Sequence, residues 1–212
     1  MALTIRHFTE ADIPVRGELL RDPEFQANLT DFAMATADDA LAEWHRRTIH
    51  EEHDTKRIFT VCRGDEVIGF WWMTSIDWPS RRCELSFALL PRFRGAFGTL
   101  LVQAAQRYLH LELNMEVIVD QVLEHNVMLH SSSRLDELHR LRRRFDQYTA
   151  GRWCTACYWT RTAADFEADR TEIDRRRSER AARIRSALQD SRQGHGDEQR
   201  TGQGDVQGDA GA

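Results

Sequence analysis

Apolar and polar residues keep recognisable local periods through the first 165 residues of the chain and lose them afterwards. Residues 3–8 read as a short strand, and Thr9 with Asp12 supplies a T-x-x-D start for a helix over 10–20. A second helix is predicted over 36–52, where Ala40, Leu41, Trp44, Thr48 and Ile49 recur at helical spacing. Residues 57–62 and 66–74, joined by a turn at Gly64 and Asp65, form an antiparallel pair. Over 83–90 the alternation sends Cys83, Leu85, Phe87 and Leu89 to one face and Glu84, Ser86, Ala88 and Leu90 to the other. Pro91 stops that strand, an Arg/Gly loop follows, and a helix is predicted over 97–112 with Leu101, Ala104, Ala105, Tyr108 and Leu111 inward. A strand over 115–122, a helix over 126–142, and a hairpin of 144–148 with 153–162 around Gly151 complete the order. The alternation predicts an α/β fold with a mixed sheet flanked by helices.

Beyond residue 165 the pattern changes. Residues 166–191 are rich in Arg, Asp and Glu with sparse apolar positions, and Thr162 with Asp165 spaces a helix start, so a charged helical extension is expected there. Residues 192–212 are Gly, Gln and Asp without large apolar side chains and are expected to be unstructured. Three segments follow: a folded domain over 1–165, the extension over 166–191, and the tail over 192–212.

With 212 residues, 41% hydrophobic and 30% charged, the chain can bury one sizeable core. It has no run of about 18 apolar residues and no apolar leader at its start, which predicts a cytoplasmic protein without a membrane segment. A net charge of −5 argues against a general nucleic-acid binder. Lys56 is the only lysine, so the basic charge is almost all guanidinium, whose planar fork suits carboxylates and phosphates. Cys62, Cys83, Cys154 and Cys157 lie in strand-like runs and are expected to be reduced and buried; the C-x-x-C of Cys154 and Cys157 has no second pair to complete a zinc site.

Two features carry chemistry. Glu84 sits on a strand face with two small residues, Ser86 and Ala88, which leaves room for a ligand beside a carboxylate able to act as general base. Its structural rival is an ion pair with Arg82 or Arg92. The run Arg92, Phe93, Arg94, Gly95, Ala96, Phe97, Gly98, Thr99 leads into a helix N-terminus, where outward amides and the helix dipole favour an anion such as a pyrophosphate.

This order, and above all ELSFALLPRFRGAFGTLL over 84–101 with VLEHN over 122–126, resembles the GNAT acyltransferase superfamily across residues 2–162. The resemblance implies a mostly antiparallel central sheet and an acyl group, most simply acetyl, passed from acyl-CoA to an amine acceptor by direct attack, with no metal. It implies Glu84 as base and pyrophosphate held around Arg92, Arg94, Gly95, Ala96, Phe97, Gly98 and Thr99. The pantetheine arm would lie in a splay between the fourth and fifth strands beside Leu89, Leu90 and Asn126. The second helix would border the acceptor, small molecule or peptide, with Trp44, His50 and Trp72 as recognising residues. The loop departs from the family's R/Q-x-x-G-x-G/A, with Phe97 where a second glycine is expected, and the family's leaving-group tyrosine falls near Ser133, so that acid is unassigned. Two other readings share the fold: transfer from an aminoacyl-tRNA, which the arginines would contact, and a non-catalytic domain whose extension mediates homodimerisation or partner binding.

Overall fold

The computed structural model describes residues 3–29, 36–95, 97–126, 129 and 140–201, and these divide into two units between Phe166 and Glu167. In the first unit seven strands form one sheet. They are β1 (Thr4–His7), β2 (Arg57–Arg63), β3 (Glu66–Asp77), β4 (Arg82–Leu89), β5 (Val117–Leu123), β6 (Arg140–Thr149) and β7 (Arg152–Thr162), ordered β1-β2-β3-β4-β5-β7-β6. Every neighbouring pair is antiparallel except β4 with β5, which run parallel. Among the described residues the α-helices of this unit include α1 (Ile13–Leu20), α2 (Pro23–Asn28), α3 (Asp38–His50) and α4 (Gly98–Arg107), the last continuing as a π-helical stretch over Tyr108–Glu112.

The T-x-x-D start is built as its spacing requires. Asp12 accepts from the Thr9 amide at 3.0 Å and from Arg6 at 2.6 Å, and Thr60 of β2 donates to it at 3.0 Å, which fixes the first helical turn on the sheet. A single 3-10 turn over Glu10–Asp12 precedes α1, whose first turn carries Pro14, where the missing amide costs nothing.

The two faces of the sheet are covered by different helices. On one, the Arg16 guanidinium of α1 lies 4.4 Å above the Trp72 ring, Phe25 of α2 packs on the same ring, and Phe8 bridges Phe70 to His45 of α3. On the other, Trp71 stacks on Phe59 at 4.0 Å and meets Tyr108 after α4. Adjacent tryptophans on a strand must face opposite ways, which predicts one of them turned from the core; with helices on both faces, Trp71 and Trp72 are 0% and 8% exposed, and both belong to it. Gly69 permits the close approach of β3 to β4, since a Cβ there would lie 2.4 Å from the Ala88 carbonyl oxygen.

The end of the chain differs from the sequence-based expectation in two places. Arg140, Leu141 and Arg142, expected to close a helix, instead open β6 by pairing with Trp159, Tyr158 and Cys157. The ladder outweighs the helix propensity of Arg and Leu, and Arg142 reaches Glu124 at 2.6 Å beyond β5. The rest of that expected helix, apart from Asn126 and Leu129, lies outside the described residues, as do Ala96 and residues 202–212 of the tail. The extension is a helix, α5 (Ala163–Thr201), which continues past residue 191 into the segment expected to be unstructured. It opens with Thr162 and Asp165 capping one another and is laced by ion pairs such as Arg175 to Glu172 at 2.7 Å and Arg176 to Glu172 at 2.6 Å.

All four cysteines are buried and outside any disulfide, Cys154 and Cys157 in separate apolar clusters around Leu123 and Val122. No described helix is long and apolar enough to cross a membrane.

Candidate active site

The register of β4 decides where Glu84 points. Glu84 lies opposite Thr74 of β3 and Val119 of β5, so these share a face, and by alternation Arg82, Ser86 and Ala88 share it too. On β7 and β6 the same face carries Thr160, Tyr158, Leu141 and Arg143. Glu84, Arg82, Val119, Tyr158, Thr160, Leu141 and Arg143 line a hollow of about 510 Å³. Glu84 is half-buried at its floor and makes no hydrogen bond or ion pair among the described residues. The ion pair with Arg92 that would have explained Glu84 structurally does not form, because Arg92 bonds Glu66 at 3.0 Å.

One rung further along, the sheet opens. β4 and β5 pair over 82–85 with 117–120 and not beyond, although β4 runs on to Leu89 and β5 to Leu123. The strands therefore form a fork whose last rung is Leu85 with Asp120 and whose arms carry backbone free of a mutual ladder. Leu89 stands on one arm, and Asn126 follows the other, its side-chain oxygen accepting from the Leu129 amide at 3.4 Å. A second hollow of about 590 Å³ sits where β4 ends, between Leu90, Pro91 and Arg92 on one side and Glu18, Arg21 and Asp22 on the other.

The loop between β4 and α4 places its glycines and its arginines differently. Gly95 has φ +83°, and a Cβ at Gly95 or at Gly98 would meet no atom within 4 Å, so the loop surface is open. Phe97 is the N-cap of α4 and gives no side-chain hydrogen bond, which leaves the first amides of the helix, at Gly98 and Thr99, without a cap. The arginines are already engaged: Arg94 bonds both Asp22 and Glu24 of the α2 start, the latter at 2.5 Å. The Phe97 side chain packs away on Phe93 and under Arg63.

The three residues expected at the acceptor are dispersed. Trp72 lies beneath Arg16 and Phe25, Trp44 receives the Lys56 ammonium 3.4 Å from its ring centre, and His50 is exposed and bonded to Glu10 at 3.0 Å. None of them lines either hollow. Two groups that sequence reasoning missed stand beside the fork. Asp120, on its last rung, is pushed up to about 6 by burial, with Arg161 opposing. Tyr158 donates to Asp146 and accepts from Gln121 at 2.7 Å; burial and then the Asp146 bond push its phenol up to about 12. The polar Asp120 within an apolar strand run was the available signal for the first; nothing local marked the second.

An antiparallel sheet with one parallel pair that splits beside an unpaired carboxylate, followed by a glycine loop and a helix N-terminus, agrees with the acyltransferase fold that the sequence resembles. Residues 2–131 match the model of the acetyltransferase (GNAT) domain, and the chain belongs to that family of N-acetyltransferases. Among solved structures it is similar to the spermidine N-acetyltransferase of Vibrio cholerae in complex with CoA and spermine, with 19% identity and TM-score 0.68 over 77% of this chain and 97% of that one. It is similar also to the same enzyme in complex with manganese ions, with 18% identity and TM-score 0.64 over 79% and 96%. A chimera of that enzyme and hSSAT gives 19% identity and TM-score 0.67 over 79% and 99%. No curated protein matches the chain in sequence.

Proposed function

We propose that the protein transfers an acetyl group from acetyl-CoA to the amine of a small molecule by direct attack, with Glu84 as general base. The observation that carries this reading is the unpaired Glu84 carboxylate, directed into a polar hollow one rung before β4 and β5 part. The structural neighbour that holds CoA and spermine supports both partners, a CoA donor and a small amine. CoA supplies the acetyl group as a thioester.

The residues present fit that donor. The fork offers backbone hydrogen-bonding groups along Leu89 and the end of β5, and the open glycine loop with the first amides of α4 offers an anion cradle. With Arg94 tied to Asp22 and Glu24, backbone amides carry the pyrophosphate contacts, and the arginine pair braces the loop. At the acceptor, the Glu84 carboxylate takes a proton from the ammonium, directly or through one water. The neutral nitrogen attacks the thioester carbonyl carbon, a C–N bond forms, the C–S bond breaks, and the proton that the nitrogen sheds on becoming an amide balances the one the departing sulfur takes up to leave as the thiol. Holding the two substrates along one fork supplies the orientation on which such a step depends.

Titration calorimetry with acetyl-CoA and with free coenzyme A, followed by thiol release in the presence of amines, tests the assignment. Micromolar binding and amine-dependent thiol release are expected. Absence of binding to both ligands would remove the CoA donor.

A further inference from the structure

We propose that the acceptor amine carries an anionic group, a carboxylate or a phosphate, held by Arg82 a few bonds away from the nitrogen that reacts at Glu84. The inference rests on Glu84 as the base and adds the class of molecule that reaches it.

The charges around the Glu84 hollow are the starting point. Among the described residues its lining holds a single carboxylate, Glu84, against two guanidiniums, Arg82 and Arg143. Arg82 has an exposed side chain with no hydrogen bond or ion pair among the described residues; its charge reaches Asp77, its register partner on β3, whose carboxyl is held below the ordinary range first by Ser80 and then by Arg82. Arg143 is partly neutralised, 4.0 Å from Asp146, with its guanidinium 5.5 Å from the Tyr158 ring centre. Tyr158 is already committed to Asp146 and Gln121. A ligand here therefore meets one site for a cation and a cationic rim. An acceptor with several ammonium groups would place its second charge against Arg82 or Arg143 and lose binding to like-charge repulsion. An acceptor with one amine and one anion satisfies both ends.

The spacing limits the distance between those ends. Arg82 and Glu84 are two residues apart on one strand and share its face, so their Cα atoms are separated by roughly 6.7 Å. The planar guanidinium binds carboxylate or phosphate through two parallel hydrogen bonds, which orients the ligand as well as attracting it. Arg143 lies on β6, three strands across the floor, about 14 Å away at the strand spacing, and bounds the hollow for longer anionic acceptors.

The experiment compares acceptors that differ only in the anion, using the full chain with saturating acetyl-CoA and reading thiol release. The pairs are L-ornithine with putrescine, L-lysine with cadaverine, and O-phosphoethanolamine with ethanolamine, with spermidine alongside. The anionic member is expected to have the higher kcat/KM by about ten- to hundredfold, the range of a charge-assisted contact. The amino-acid pairs and the phosphate pair separate carboxylate from phosphate as the natural anion. Arg82→Glu is expected to reverse the preference within each pair while acetyl-CoA affinity, measured by calorimetry, stays unchanged; Arg143→Gln is the milder companion. Wild-type preference for putrescine, cadaverine or spermidine, with no response to Arg82→Glu, overturns the inference and leaves the acetyltransferase assignment standing. Loss of acetyl-CoA binding in the wild type would overturn that assignment and this inference with it.

Discussion

Glu84 and Asp120 stand on opposite faces of the sheet at the last two rungs before β4 and β5 separate: Glu84 pairs across to Val119, and Asp120 to Leu85. One carboxylate opens into the polar hollow, and the other is pressed into the opposite side of the fork. If the open one is the base, Glu84→Gln keeps the shape and hydrogen-bonding capacity of the floor and loses only the proton acceptor. The expected result is a fall in kcat by about 10²- to 10⁴-fold, with acetyl-CoA affinity unchanged by calorimetry. A variant with wild-type kcat would transfer the role of base to another group.

Asp120 carries a stability consequence whose sign follows from its burial. An ordinary Asp titrates near about 3.9 in the unfolded chain, whereas in the fold this carboxyl is pushed up to about 6 by burial, with Arg161 opposing. Between those values the native state holds a proton that the unfolded state has released. Stability is therefore lost as pH rises through the window, and the loss is complete above it. Asp120→Asn is expected to raise unfolding free energy by about 1–3 kcal/mol at pH 8 and by less at pH 5. Urea denaturation at the two pH values reads this directly, and an equal shift at both would assign the effect to packing.

A buried base behaves in the opposite sense. His45 is 0% exposed, and its imidazole is pushed down to about 4, first by burial and then by the neighbouring Arg16 and Lys56 charges. As pH falls from about 6.5 the unfolded chain takes up a proton that the fold refuses until about 4, so stability declines over that interval, by at most about 3 kcal/mol. His45 packs between Phe8 and Trp44, so Phe is the substitution that keeps the aromatic contacts. The melting temperature of His45→Phe is expected to vary less between pH 6.5 and 5 than that of the wild type. Parallel curves would place the acid sensitivity elsewhere, with Asp12 the next candidate: burial raises its carboxyl, but Arg6, Thr9 and Thr60 together hold it below the ordinary range.

The site was legible in the sequence where a local period decides geometry. Alternation alone puts Glu84 on the face opposite Cys83 and Leu85, and the rungs to Thr74 and Val119 follow that assignment. Pro91, Gly95 and the apolar spacing after Gly98 likewise mark a strand, a loop and a helix in the order found. What stayed hidden depends on distant partners. Arg94 looks like a free phosphate ligand until Asp22 and Glu24, 72 and 70 residues earlier, reach it, and α2, which presents them, is too short to show a period. Leu141 and Arg143 join the hollow because β6 starts pairing with β7 at Arg140, where the last turn of a helix ending at Arg142 was expected, and not at residue 144, an outcome of ladder contacts and not of propensity. The buried guanidinium of Arg16, whose Nε and Nη1 have no hydrogen-bond partner among the described residues and which lies over the Trp72 ring, reads in sequence as one more helical arginine.

Gly95 provides the separate test of the donor loop. Its φ of +83° is a conformation that side chains rarely adopt, but a Cβ there meets no atom within 4 Å, so the cost of Ala is confined to the backbone. That cost is about 1–2 kcal/mol. Gly95→Ala should therefore lower the melting temperature modestly and leave most acetyl-CoA affinity in place. Gly95→Glu pays the same backbone cost and also sets a carboxylate beside the uncapped amides of α4, where it competes with an incoming phosphate for the same positive potential. The two variants are expected to unfold at similar temperatures and to part in calorimetry, with acetyl-CoA binding abolished only in Gly95→Glu. Equal affinity in both would mean that the donor's phosphates are held away from this loop.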